Sequence, residues 1–333
     1  MKNKLVTIGE ALIDFVPIML PIMLPVNETS MANGSCSFNG IPGGAPANVA
    51  ASVAKLGAMS SFIGKLGKDS FGDLIIRILR DQGVNAEGIL VTSEAKTGLA
   101  FVSLKEDGER DFIFYRDPSA DMLLSKEDIN AEWFSKGDIL HFGSISLIQN
   151  PSKEATDVAI KYASEKGVLI SFDPNIRLPL WGDIDTAITT ILEYIPHADI
   201  LKISEEELVL LTGKSDRKGI DKLFVGNVKL ILLTLGSKGS IAYTKEMEIK
   251  ADGFNVKAID TTGAGDAFIA GILYKLLQNG VNVDNYNDKL TDLKLLKDII
   301  IFSNANGALT TTQFGAISAL PSLEEVIELS NSI

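Results

Sequence analysis

The sequence predicts a doubly wound α/β fold, a mainly parallel sheet with helices on both faces, joined by a small β-sheet lid. Three observations carry this reading. Short apolar runs recur along the chain: LVTI (5–8), SFIGKL (61–66), DILHFG (138–143), VLISFD (168–173), DILKIS (199–204) and KLILLTLG (229–236). They are apolar throughout rather than alternating, as parallel strands covered on both faces require. Helical patterns with their own start and stop signals lie between them. Two pieces break the rhythm and are expected to lie outside the main sheet.

Taken in order, LVTI is the first strand, and the glycine-rich turn PGGAP leads into ANVAASVAKLG (47–57), a helix of small residues ending at Gly57. DSFGDLIIRILRDQG (69–83) has Asp69 as N-cap, apolar residues at Leu74, Ile75, Ile78 and Leu79, and a stop at Gly83. Further helices are expected over 152–166, near 184–194 and from 205. TGLAFVSLKEDGERDFIFYRD (97–117) reads as two strands joined around Glu106-Asp107-Gly108-Glu109, a hairpin signal. The segment 14–40 lacks helical periodicity. The expectation is one continuous domain over 1–333, with the lid built from insertions at about 12–42 and 96–118. Ligands in open α/β sheets bind beyond the carboxyl ends of the strands, so a lid there closes over the site.

One apolar segment could mislead. ALIDFVPIMLPIMLPV (11–26) carries Asp14 and prolines at 17, 21 and 25, which break any helix, and it is shorter than the ~20 residues of a membrane span. It also lacks the pattern of a secretory signal. The doubled PIML reads as a local duplication in an extended surface segment.

Composition narrows the function. The chain is 46% apolar and 22% charged, and its net charge of −12 argues against attraction to nucleic acid or anionic membrane. An anionic substrate therefore needs local dipoles or cations. A single cysteine, Cys36, allows no internal disulfide and fits a reducing, cytoplasmic setting as an inert thiol. LTGKSD lacks the earlier glycine of a phosphate-binding P-loop, since Leu208 stands there, and reads as a helix-ending turn. LVTIGEALIDF offers only Gly9 where a dinucleotide fold wants several glycines. The two histidines, His141 and His197, are far apart in sequence and read as core or surface residues rather than zinc ligands or triad members.

The informative stretch is DTTGAGDAFIAG (260–271). Phe268, Ile269, Ile272, Leu273, Leu276 and Leu277 share one helical face, so a helix is expected to start at about Gly265 or Asp266 and end at Asn279-Gly280. Its N-terminus presents unpaired N–H groups and partial positive charge, and Gly263 and Gly265 let a ligand approach them. That is an anion site. An aspartate in a first turn ordinarily just complements the helix dipole. Beside an anion hole, Asp266 could instead take the proton of a hydroxyl attacking a bound phosphoryl group.

These residues carry a resemblance. DTTGAGDAF and PGGAPANVA resemble the two signatures of the ribokinase-like, PfkB-type carbohydrate kinases. GEALIDFVP, IGKLGKDSFG, FIFYRDPSADMLL, SFDPNIRLPLW, LKISEEELVLLTG and ALTTTQFGAISALP are similar to the corresponding segments of fructokinases, in the same order over nearly the whole chain. The resemblance implies an ATP-dependent sugar kinase with Asp266 as base and Gly263, Ala264 and Gly265 as anion hole. It implies sugar contacts at Asp14, Gly43, Gly44 and Asn48, with Arg116 closing from the lid and Arg177 near the reacting groups. Thr234, Gly236, Gly239 and Asn304 match the nucleotide site. Glu207 matches the glutamate of the family's Asn-x-x-Glu motif, acting on magnesium through water, with Ser204 in place of the asparagine. Asp260, Thr262 and Gly315 match ligands of a monovalent cation, usually potassium. Asp117 stands where fructokinases usually show asparagine, and its carboxylate could pair with Arg116.

Fructose is the expected substrate, since a phosphorylated sugar calls for more cations than the sugar segments offer. Ribose, 2-keto-3-deoxygluconate, a nucleoside, or a non-catalytic sugar-binding role remain the alternatives. An exposed β lid also suggests a homodimer.

Overall fold

The computed structural model describes residues 3–17, 37–104 and 110–332. The hairpin turn expected at 106–109, the doubled PIML segment and Cys36 lie outside the described residues. The strands are β1 (Lys4–Ile8), β2 (Leu12–Pro17), β3 (Phe38–Gly43), β4 (Met59–Gly67), β5 (Ile89–Thr92), β6 (Gly98–Leu104), β7 (Arg110–Tyr115), β8 (Ile139–Gly143), β9 (Leu169–Asp173), β10 (Ile200–Ser204), β11 (Leu230–Thr234), β12 (Gly239–Tyr243) and β13 (Glu248–Asp252). A nine-stranded sheet runs β13-β12-β11-β10-β9-β8-β1-β4-β5, and a separate four-stranded sheet runs β3-β2-β6-β7. In the large sheet β11, β10, β9, β8, β1, β4 and β5 are parallel, and only the β12 and β13 edge pairs antiparallel.

The helices are α1 (Ala45–Lys55), α2 (Ser70–Asp81), α3 (Ser152–Lys166), α4 (Ile184–Tyr194), α5 (Glu205–Thr212), α6 (Arg217–Leu223), α7 (Ala264–Gln278), α8 (Tyr286–Leu290), α9 (Leu293–Thr310) and α10 (Leu323–Ser330). Successive strand residues point to opposite faces, and that sorts the core into layers. Val6, Leu140, Ile170 and Leu201 pack with Ala159 of α3, Ile191 of α4 and Leu208 of α5. Their neighbours Leu5, Ile139, Leu169 and Ile200 pack with Val49 of α1, Ile272 of α7 and Ile300 of α9. Both faces are therefore covered, which is why these strands read as continuous apolar runs. Among the described residues no helix is long and apolar enough to cross a membrane.

Two helix starts differ from expectation by one or two residues. α1 begins at Ala45 rather than 47, because Gly44 adopts φ 104 and Pro46 suits the first turn. α7 begins at Ala264, capped by Gly263 at φ 77. An added Cβ at that cap would lie 2.8 Å from the Cβ of Ala316, so the turn needs glycine both for its dihedral and for space. Gly213 ends α5 in the left-handed conformation, as read from LTGKSD.

The small sheet joins the two pieces that broke the rhythm. β2 pairs antiparallel with β3 and parallel with β6, and β6 pairs antiparallel with β7. One aromatic cluster covers it: Phe15 stacks on Phe101 at 4.8 Å, while Phe38 and Tyr115 meet Phe101 edge-on. Ile113 and Tyr115 are 55% and 63% exposed.

Candidate active site

Two cavities of about 550 Å³ each lie side by side at the N-terminus of α7. Glu10, Asp14, Asn48, Arg177, Lys202 and Asp266 line the first, with Gly44, Thr262 and Gly263. The second is lined by Thr234, Gly236, Gly239, Phe268 and Asn304. Thr261 and Gly265 belong to both walls. The junction between the cavities is thus the glycine turn itself.

Ala267 is the first residue of α7 whose N–H reaches back four residues, to the Gly263 carbonyl at 2.8 Å. The N–H groups of Gly265 and Asp266 precede that ladder and point out of the helix end. Ala264 differs, since its N–H turns back to the Thr261 carbonyl at 3.3 Å. Asp266 itself is buried, and Asn48 Nδ2 donates to its Oδ2 at 2.7 Å. Burial pushes the Asp266 pKa above the ordinary aspartate value, while Asn48, Lys202 and Arg177 pull it back. A carboxylate so placed is a stronger base than one in water, yet neighbours keep it accessible to ionisation.

The other expected residues fall into three groups. Asp14, Gly44, Asn48 and Arg177 meet on the wall around Asp266. Gly43 lies against Asp14, where an added Cβ would stand 2.4 Å from Oδ2. Arg116 is buried beside this wall, and its partner is Asp121 rather than Asp117, which is exposed. The geometry of the chain explains the difference: Asp121 sits in the turn that folds back under β6, and a single hydrogen bond from Ser119 Oγ also holds it.

Asp260, Thr262 and Gly315 also converge. The Thr262 N–H donates to Asp260 Oδ1 at 2.8 Å and the Gly315 N–H to Oδ2 at 3.0 Å. Asn304 lines the second cavity while its amide ties the strands beneath: Ser240 Oγ donates to Oδ1 at 2.8 Å, and Nδ2 donates to the carbonyls of Ala251 and Asp252 at 3.2 Å each. Ser204 and Glu207 line neither cavity. They form the capping box of α5, with the Ser204 N–H donating to Glu207 Oε2 at 2.8 Å. The other oxygen, Oε1, accepts from the Ile176 N–H at 2.8 Å and so fixes the loop that carries Arg177.

Three charged residues at the site were not singled out from the sequence. Lys202 pairs with both oxygens of Asp173, at 3.1 and 2.9 Å. Burial lifts the Asp173 pKa to about 7, with Glu207 and Asp266 adding to the rise and Lys202 opposing it. Glu10 accepts from the Ala45 N–H at 3.1 Å through Oε1, its pKa is also about 7 through burial, and Arg116 draws it down. A lysine in the middle of the apolar run DILKIS is the signal that could have found the first pair. His141 behaves as read: it is buried in the core against Ser171, and burial drives its pKa down to about 3, so it is neutral. His197 lies edge-on to Tyr194.

A helix N-terminus set between a polar, carboxylate-lined cavity and a glycine-walled one, with a buried carboxylate at the junction, is the arrangement of a phosphotransferase acting on a hydroxyl-rich substrate. The model for the pfkB family carbohydrate kinases matches residues 2–323, and the chain belongs to that family. It is 45% identical over 330 residues to a probable fructokinase-5 from Arabidopsis thaliana, covering 98% of this chain and 97% of that one. Among solved structures, fructokinase from Xylella fastidiosa with bound ATP superposes with a TM-score of 0.89 at 34% identity, covering 99% of both chains. A double mutant of fructokinase from Vibrio cholerae O395, with bound fructose, ADP and potassium ion, superposes with a TM-score of 0.85 at 34% identity over 98% of both chains.

Proposed function

We propose that this chain is an ATP-dependent fructokinase, converting D-fructose and ATP to D-fructose 6-phosphate and ADP. The observation that carries the reading is the junction at α7, where Asp266 and the glycine turn stand between the two cavities. Similarity to fructokinases over nearly the full length supports the choice of sugar.

The sugar occupies the cavity lined by Asp14, Gly44, Asn48 and Arg177, whose carboxylate, amide and guanidinium suit a polyhydroxylated ligand. ATP occupies the cavity bordered by Thr234, Gly236, Gly239 and Asn304. The attacking hydroxyl gives its proton to Asp266, whose Oδ2 is held by Asn48, leaving Oδ1 for the transfer. The N–H groups of Gly265 and Asp266 stabilise charge on the moving phosphoryl group. The small sheet acts as a lid that excludes water, and Arg116, clamped by Asp121, sets the position of β7 at its edge.

Two ions belong to this reading. The Asp260 carboxylate, with oxygen donors from Thr262 and Gly315 gathered around it, suits a hard monovalent cation such as potassium. That ion would offset negative charge beside the anion hole. Magnesium would enter with the nucleotide, held mainly by phosphate oxygens and water, and Glu207 acts at a distance by fixing the loop that carries Arg177. The exposed aromatic face with Ile113 and Tyr115 supports a homodimer formed through the lid. ATP consumption and a single cysteine support a cytoplasmic location.

The test is ADP release with Mg-ATP across fructose, glucose, mannose, ribose, 2-keto-3-deoxygluconate and adenosine, with and without potassium. A clear fructose preference that rises with potassium is expected. Another preferred sugar would replace fructose and keep the mechanism; no turnover with any of them would leave a sugar-binding protein.

A further inference from the structure

Lys202 interrupts an otherwise apolar strand and is buried to 6% exposure. Its ammonium has three N–H donors; it donates to Asp173 Oδ1 at 3.1 Å, and Oδ2 lies 2.9 Å away. A buried ion pair costs the desolvation of both charges, and an apolar pair of similar shape is often as stable, so packing alone does not account for it.

The position of the ammonium does. Lys202 lines the sugar cavity, and its Nζ lies against Gly265, the residue that forms part of both cavity walls. A methyl group placed on Gly265 would stand 3.2 Å from Nζ. The charged groups around it come from three elements: Asp173 at the end of β9, Glu207 in α5 and Asp266 in α7, with neutral His141 on β8 behind. Burial works against the ammonium, but those carboxylates hold it protonated. It is a fixed positive charge at the window through which a phosphoryl group must pass.

On the fructokinase reading, we propose that Lys202 is a further catalytic residue whose ammonium contacts the transferred phosphoryl group between the two cavities. In the step, the bond from the sugar oxygen to the γ-phosphorus forms as the bond to the bridging oxygen breaks. The electron pair leaves with ADP, and the hydroxyl proton goes to Asp266. Lys202 gives up no proton and acts by charge, across from the N–H groups of Gly265 and Asp266.

The decisive variant is Lys202→Met with Asp173→Asn, which removes both charges of the buried pair. Thermal unfolding, calorimetric fructose binding and steady-state kinetics are read together. The expected result is a folded protein whose fructose Kd changes less than about threefold while kcat on the pH plateau, above the acid limb of Asp266, falls by roughly 10²–10³, the scale of one lost transition-state donor. A kcat within about threefold of wild type, or a loss confined to KM, overturns the proposal. Should this variant not fold, a crystal structure of the wild-type enzyme with Mg-ADP, fructose and aluminium fluoride decides: Nζ within about 3.2 Å of a fluoride supports contact, and separation beyond hydrogen-bond reach refutes it. Wild-type protein that turns over no sugar refutes the fructokinase reading itself, an outcome distinct from an active wild type with an equally active variant.

Discussion

Replacing Asp266 with asparagine separates the two roles open to an aspartate at a helix start. The substitution keeps size and shape, and the new amide oxygen can still accept the 2.7 Å hydrogen bond from Asn48. It also removes a buried carboxylate whose ionisation burial disfavours, so the fold is expected to remain intact or gain slightly. If Asp266 only complemented the helix dipole, turnover would change little. As a general base its loss should lower kcat by roughly 10²–10⁴. At 1.36 kcal/mol per decade that is about 2.7–5.4 kcal/mol of transition-state stabilisation. The pH profile gives an independent reading. Wild-type activity should fall as pH drops through the Asp266 pKa, a limb displaced upward from the ordinary value of 3.8, and the variant should lose that limb. The assay is coupled ADP release at saturating fructose and ATP over the acid range, with fructose binding followed by calorimetry. A folded variant retaining turnover within about tenfold, or keeping the acid limb, would refute the assignment of Asp266 as base.

Glu10→Gln tests the electrostatics behind the sugar cavity. The native pKa of Glu10 is about 7 against 4.5 unperturbed, so the folded protein holds a proton that the unfolded chain has released. That contribution to stability is complete below the unperturbed value and is lost as pH rises through about 7. The melting temperature of the glutamine variant should therefore gain on wild type as pH rises through that window, and a constant difference would contradict the buried-acid assignment. Tyr115→Asp tests the dimer: a charge on the exposed aromatic face should convert a dimer to monomers by light scattering, and a wild-type protein that is monomeric at all working concentrations removes the proposal.

The large sheet was legible because its physics is local. Strands buried on both faces show apolar runs such as VLISFD and KLILLTLG, and capping residues such as Asp69 mark helix starts within a residue. The glycine turn at the start of α7 was legible for the same reason, since Gly263, Gly265 and Asp266 lie in one contiguous stretch of sequence. The partner of Arg116 was not, because an exposed neighbour at 117 and a buried one at 121 look alike until the chain folds back beneath β6. Nor does sequence distance place Lys202 beside Gly265, or Asn48 on Asp266, which are joined only when the carboxyl ends of β10 and the starts of α1 and α7 meet.

What was legible and what was not divide along a chemical line. The turn that receives negative charge is encoded in one contiguous stretch, as a backbone device must be, because N–H groups are positioned by the residues that carry them. The side chains that tune the base come instead from α1, β10 and the loop after β9, each contributing one group to Asp266: Asn48 by a hydrogen bond, Lys202 and Arg177 by charge. On the proposed mechanism, the opposing pulls on Asp266 set its strength as a base. Burial raises the carboxyl's pKa and disfavours its ionised form, whereas solvent exposure would leave it a weak base, and only tertiary assembly sets the balance between them.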